Sequence, residues 1–416
     1  MALLQVVLFL MLCSVALGWV ARRFNFPYPI ALVIGGGALG FLPELPQVPF
    51  DPQLILVLVL PPILYQAALM TSWRDFKANI RPIGLLAIGM LMGLLFVFVH
   101  RGLGDTFIEV LTTLMVPYIT YILAESLHLS GVLAVVAAGL VRGRYSPEMV
   151  SAEMRIIARS AWNLLVFLLN SLVFILIGLL LSGTIGRLTG YSPEQLVLYG
   201  SVISLVAVFV RFAWIFPATY VPRILSESLN RRDPAPPKEE LFIMSWCGMR
   251  GIVSLAAALA LPLTLLDGTP FPERDLIIFL TFVVIAVTLV LQGLTLAPLI
   301  RGLQVGSDWS EQEEQQRARM ALTHAALAAI AEVVAQENVS NELADRIRAE
   351  FAEKITLSFP GSIVVDHGAG DPAKRLRRAA LKAERRELIR IWRENQISDD
   401  VLHHLEEDLD YQESRL

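Results

Sequence analysis

The sequence predicts an all-α fold, a polytopic bundle of membrane helices followed by a helical polar tail, and three observations carry that prediction. Of 416 residues, 55% are hydrophobic and only 17% charged, with a mean hydropathy of +0.60, whereas soluble domains carry about 25% charged residues. The charges are also segregated: residues 304–416 hold 22 of the 38 acids and 15 of the 34 bases. Finally, the remainder divides into apolar runs of bilayer-crossing length. The expected domains are therefore a membrane body, residues 1–303, and a soluble helical tail, residues 304–416. The net charge of -4 argues against a nucleic-acid partner. Cys13 and Cys247 both lie in apolar runs, where neither a disulfide framework nor a thiolate metal site is expected.

A bilayer crossing needs about 20 apolar residues. Segments meeting or approaching that length fall at about 2–20, 28–42, 52–70, 82–100, 107–124, 131–141, 160–182, 194–219, 241–261 and 276–300. The first lacks a basic leader region and a small-residue cleavage pattern, so it reads as a retained span rather than a signal peptide. Those at 28–42 and 131–141 are short, as in the half-helices or tightly packed helices of transporters. In the tail, TLSFPGSIVVDHGAGDP (356–372) reads as a linker. On either side, EEQQRARMALTHAALAAIAEVVAQE and RRAALKAERRELIRIWRENQ place apolar residues at helical spacing, so two amphipathic units are expected.

Loop charge sets the topology. Counting back from a cytoplasmic tail, the basic loops at 142–159 and 220–240 both fall inside, as the positive-inside rule requires. Counting forward, Arg22 and Arg23, then Arg74, Lys77 and Arg81, fall inside if the N-terminus is outside. The two halves disagree about the junction HRGLGDT at 100–106. Ten spans do not join them; an odd number does.

Four stretches then take on meaning together: LPPILYQAALMTSWRDFKANIRPIGLLAIG (60–89), VPYITYILAESLHLSGVLAVVAAGLVRGR (116–144), SWCGMRGIVSLAAALALP (245–262) and FLTFVVIAVTLVLQGLTLAPLIRGL (279–303). In this order they resemble the monovalent cation/proton antiporters of the bacterial sodium/proton exchanger type, and AERRELIRIWRENQISDDVLHHLEEDLD (383–410) resembles the tail of several of them. The resemblance implies about thirteen membrane helices with inverted repeats around a midplane ion site. It also implies a secondary transporter and not an enzyme. Its partners would be a monovalent cation, sodium first, and protons; its location a plasma membrane, multi-pass, with the tail cytoplasmic; its assembly a homodimer; and no cofactor is expected. Members of the family carry a broken helix and a further helix with acidic motifs between the counterparts of 82–100 and 107–124. Only the six residues 101–106 stand between those two segments here, too few to carry either helix. An internal deletion of three helices near residue 100 would restore the odd count. The alternative expectation is accordingly a relative that inserts in the membrane without moving ions.

Exchange of a proton for a cation at the midplane calls for a buried carboxylate that binds either one. Every acid in residues 1–303 falls in a loop or near the end of a span, Asp105, Glu109 and Glu125 lying deepest. The expected transport-core residues are therefore Arg250, Gln66, Asn170, Ser171 and Glu125, and no metal site is identifiable. Gln66 matches a position that is acidic in some relatives. Arg250 stands near the middle of 241–261, where an arginine costs about 2.5–3.5 kcal/mol; it reads either as part of the translocation core or as a donor that clamps helices together. Asn163, Asn170 and Ser171 share one helical face, which suits interhelical hydrogen bonding or ion coordination. No Walker loop, HExxH or Gly-x-Ser-x-Gly occurs, so hydrolysis and ATP drive are not expected.

Overall fold

The computed structural model describes residues 2–24, 27–40, 52–69, 92–95, 105–188, 190–226, 235–247, 267–303, 309–336, 339–353 and 371–416, with shorter stretches between 254 and 265. Among them the chain is helical throughout, apart from a single antiparallel bridge between Thr264 and Pro270. The helices are α1 (Ala2–Arg23), α2 (Tyr28–Gly40), α3 (Pro52–Leu69), α4 (Thr106–Ser126), α5 (Gly131–Met149), α6 (Ala152–Arg187), α7 (Pro193–Leu225), α8 (Lys238–Trp246), α9 (Arg274–Val287), a π-turn at Thr288–Gln292, α10 (Gly293–Gly302), α11 (Trp309–Gln336), α12 (Asn341–Glu353), α13 (Asp371–Arg393) and α14 (Asp399–Glu413). They form two compact units. One comprises Met1–Leu60 with Leu165–Val305; the other comprises Pro61–Leu164 with Gly306–Leu416.

In the first unit α2 crosses α6 backbone against backbone. A Cβ on Gly36 would collide with the Ile175 carbonyl, and one on Gly178 with the Val33 carbonyl. Small residues allow this approach, and in a bilayer close van der Waals packing is what holds helices together. An edge-to-face ring contact joins α7 to α8, with Phe212 5.2 Å from Phe242. The expected span at 241–261 is not one continuous helix. It stops at Trp246, where the Cys247 N–H bonds to the Ile243 carbonyl. Beyond it Gly268, at φ 81°, takes a left-handed conformation that glycine adopts without strain. Arg211 donates to the Met244 carbonyl at 3.3 Å, in the last turn of α8 where carbonyls lack helical partners.

In the second unit, caps fix the helix ends. Asp105 accepts from the backbone of Phe107 at 2.8 Å and of Ile108 at 3.2 Å to start α4, and Ser130 starts α5, as short polar side chains do at this position. Four helices, α11 to α14, bury one core in which Leu322, Ile330, Phe351, Leu376, Ile391 and Leu405 take part. Two amphipathic units were expected here; α12 and the separate α14 are additional. Ser398 caps α14 through Val401, and Asn395, at φ 58°, turns the chain between α13 and α14.

Among the described residues, five helices are long and apolar enough to cross a membrane: α4, α6, α7, the stretch Arg274–Gly302, and Gln312–Gln336 within α11. The last qualifies by length and composition. Its buried stripe, however, packs on α13 and α14, because alanines at every turn allow close approach. Tyr28–Gly40 and Val57–Leu69 are shorter apolar helices. The expected segment 82–100 and the junction at 100–101 lie, apart from 92–95, outside the described residues.

Candidate functional site

Gln66 and Asn163 meet in the second unit. Two glycines one turn apart on α5 bring this about: a Cβ at Gly139 would lie 2.8 Å from the Tyr65 carbonyl, and one at Gly143 2.7 Å from that of Leu69. With no side chain in the way, α3 lies directly on α5. Tyr65 then packs against Trp162 of α6, ring centroids 5.5 Å apart. Trp162 donates through Nε1 to the Thr113 hydroxyl of α4 at 3.2 Å, and that hydroxyl donates to the Val110 carbonyl at 2.8 Å. The Gln66 Nε2 donates to Asn163 Oδ1 at 3.4 Å, a length at which a hydrogen bond holds weakly.

Gln66, Thr113, Trp162 and Asn163 line a cavity of about 100 Å³. Arg142, Ser146, Arg155 and Arg159 complete its wall from α5 and α6, and His403 and Glu406 reach it from α14. Amide oxygens are hard ligands suited to a cation, but neither amide titrates. Three arginines facing one carboxylate oppose cation entry from this side.

Beside the cavity runs a buried ionic network. Arg155, 7% exposed, grips Asp410 with two bonds, Nε to Oδ2 at 2.8 Å and Nη2 to Oδ1 at 2.5 Å, and its Nη1 also donates to the Val150 carbonyl. Arg385 bonds Asp410 at 2.6 Å and Glu413 at 3.0 Å. Glu406 sits 3.6 Å from Arg155 and 4.0 Å from Arg385. Burial alone would push its carboxyl up, but the His403 hydrogen bond and the charges of Arg155, His403 and Arg385 together hold it below the usual range. Arg159 pairs with Glu407 at 2.7 Å, and the Arg144 guanidinium lies 4.1 Å over the Trp392 ring. Helix α14 is thereby bound to the start of α6.

The remaining expected residues are dispersed. Glu125 Oε1 accepts the Gly131 N–H at 2.9 Å, so its carboxylate secures the α4–α5 corner. Asn170 and Ser171 belong to the first unit; Ser171 is 1% exposed, and its hydroxyl finds no hydrogen-bond partner among the described residues. The Gln292 Oε1, at the end of the π-turn and 3% exposed, is in the same condition, and π-turns concentrate at functional sites. Arg250 lies outside the described residues. Among those described, no acid of residues 1–303 stands in the middle of a helix, and no cluster of His, Cys, Asp and Glu could hold a metal. Reading topology alone from the basic loop 142–159 missed Arg155 as the anchor of the tail. The signal was there: four arginines in that loop and a complementary acidic run, Glu406 to Glu413, in the tail.

The family described as "Sodium/hydrogen exchanger, transmembrane" matches residues 7–98 and 83–302, two pieces that overlap at 83–98. An uncharacterized Na(+)/H(+) exchanger of Mycobacterium tuberculosis is 26% identical over 522 positions, covering 99% of this chain and 96% of the relative. A sodium, potassium, lithium and rubidium/H(+) antiporter of Bacillus pumilus is 29% identical over 323 positions, covering 74% of this chain and 46% of the relative. The Na(+)/H(+) antiporter NhaP of Pseudomonas aeruginosa is 34% identical over 240 positions, covering 56% of this chain and 51% of the relative.

Proposed function

We propose that this chain, which belongs to the sodium/hydrogen exchanger family, is a secondary transporter that exchanges a monovalent cation, sodium first, for protons and so serves ion and pH homeostasis. One observation carries the reading: the family match runs through the membrane body from residue 7 to residue 302. Relatives named as antiporters support it. The protein is a multi-pass membrane protein. Its placement in the plasma membrane, a soluble cytoplasmic tail, more than the five spans counted above, and a homodimer belong to the same proposal.

For the transport core we propose Gln66 with its partner Asn163, Asn170 and Ser171 on α6, and Arg250. The hydrogen bond between Gln66 and Asn163 supports the first pair. Glu125 belongs to the core only if the α4–α5 corner opens, since its carboxylate is committed to Gly131.

A second reading rests on the alignment with the mycobacterial relative. It spans 522 positions whereas this chain has 416 residues, so about a hundred positions of that relative have no counterpart here. At about 20 residues per span, that is room for the three helices that the loop charges call for near residue 100. On this reading the chain inserts without moving ions.

One assay separates the two. Everted vesicles from an antiporter-deficient host, energised and carrying a pH-sensitive dye, are given sodium or potassium. Antiport predicts a cation-dependent alkalinisation that Arg250→Ala abolishes. A silent trace from protein shown to be inserted supports the second reading and overturns the first.

A further inference from the structure

Arg142 has no role in the transport reading, and its surroundings define one. It lies near the end of α5, 8% exposed, and faces the cavity together with Ser146, one turn further along the same helix, and Asn163. The two other arginines of the wall are committed, Arg155 to Asp410 at 2.5 Å and Arg159 to Glu407 at 2.7 Å. Glu406, the one carboxylate of the wall, is shared by Arg155, Arg385 and His403. Among the described residues Arg142 has neither an ion pair nor a hydrogen bond; its charge reaches Tyr65 and Glu109 only through space. A buried, unpaired guanidinium is costly. It is relieved by an anion that takes its fork of parallel N–H donors, the geometry in which arginine binds oxyanions best.

We propose that this cavity is a binding site for a small oxyanion, with Arg142 as the charged anchor and the Ser146 hydroxyl and Asn163 amide as neutral neighbours. About 100 Å³ holds several waters, enough for one tetrahedral phosphate and too little for a nucleotide. The phosphate is free or belongs to the headgroup of an anionic lipid; the chemistry at Arg142 is the same. Binding here would relieve the positive charge that Arg142 adds beside the Gln66–Asn163 pair and would brace α5 where α14 docks.

The test uses the full chain, stripped of lipid in an uncharged detergent. Its thermal midpoint is followed against sodium phosphate, with sodium chloride at matched ionic strength as reference. A saturable rise is expected, with half-saturation weakened roughly ten-fold or more in Arg142→Gln, as for loss of a charged hydrogen bond. Arg301→Gln, at an exposed position on α10, should respond as the parent does. Should Arg142→Gln fail to fold, Ser146→Glu serves instead: a carboxylate one turn from Arg142 should abolish the phosphate response. A rise with phosphatidylglycerol but not with phosphatidylcholine or inorganic phosphate assigns the oxyanion to a lipid headgroup. The inference is overturned if the folded parent responds to none of these, or if Arg142→Gln responds as the parent does.

Discussion

Within one unit of the molecule, two polar clusters follow opposite rules. Gln66 and Asn163 are neutral, joined by one bond of 3.4 Å, and supported by apolar packing around Tyr65 and Trp162. A few residues back along α6 from Asn163, Arg155 is fully charged, doubly bonded to Asp410 and almost entirely buried. Burying a charge demands a partner of equal quality, whereas burying an amide costs little if one loose bond is kept. The neutral cluster can therefore change partners, and the charged one cannot.

The largest effect should come from breaking the charged cluster on one side. Asp410→Ala leaves Arg155 and Arg385 without their shared carboxylate and should cost about 3–5 kcal/mol, read as a lower thermal midpoint and as faster proteolytic release of residues 306–416. A loss no greater than that of Gln66→Ala would remove the contrast. Next, Gly143→Leu forces α3 off α5 at Leu69 and should cost about 1–3 kcal/mol as an overpacked contact; a cysteine pair at 66 and 163 would then crosslink less than in the parent.

The charged cluster should also respond to acid, and the sign follows from Glu406. Its folded carboxyl titrates below the unfolded one, so it contributes stability that is fully present above the ordinary carboxylate range and is lost as pH falls through that range toward the folded value. The midpoint of Glu406→Gln should vary less with pH over that window; an identical pH profile would contradict the assignment.

Gln66→Glu sharpens the comparison by placing a titratable group in the neutral cluster. In the vesicle assay it should strengthen any cation-dependent alkalinisation or create one, and no change would remove residue 66 from the proposed core. The smallest effect belongs to Arg390, half exposed and paired with Glu387 and Glu394 on its own helix. Arg390→Ala should leave the thermal midpoint unchanged within error, since exposed pairs contribute little.

Much of this architecture is legible one residue at a time. The apolar runs at 2–20, 107–124, 160–182 and 194–219 all lie in helices of the structure, because a bilayer's thickness imposes length and composition on whatever crosses it. Acids confined to helix ends were equally visible, whereas the capping of α4 by Asp105 emerged only with the structure. The end of α8 at Trp246 was not: SWCGMRGIVSLAAALALP is uniformly apolar around Arg250, and hydropathy does not register where backbone bonds stop.

What the sequence by itself determined is the apolar character of residues 1–303, the polar character of residues 304–416 and the family resemblance, each written in composition, periodicity or ordered motifs. Only the tertiary structure decided that α14 closes over the start of α6, that Gln66 finds Asn163 97 residues away, and that Arg142 faces a cavity without a partner among the described residues. These pairings depend on which helix faces meet. That is fixed by glycines such as Gly139 and Gly143, whose missing side chains set the distance between backbones and leave no periodic signal along the chain.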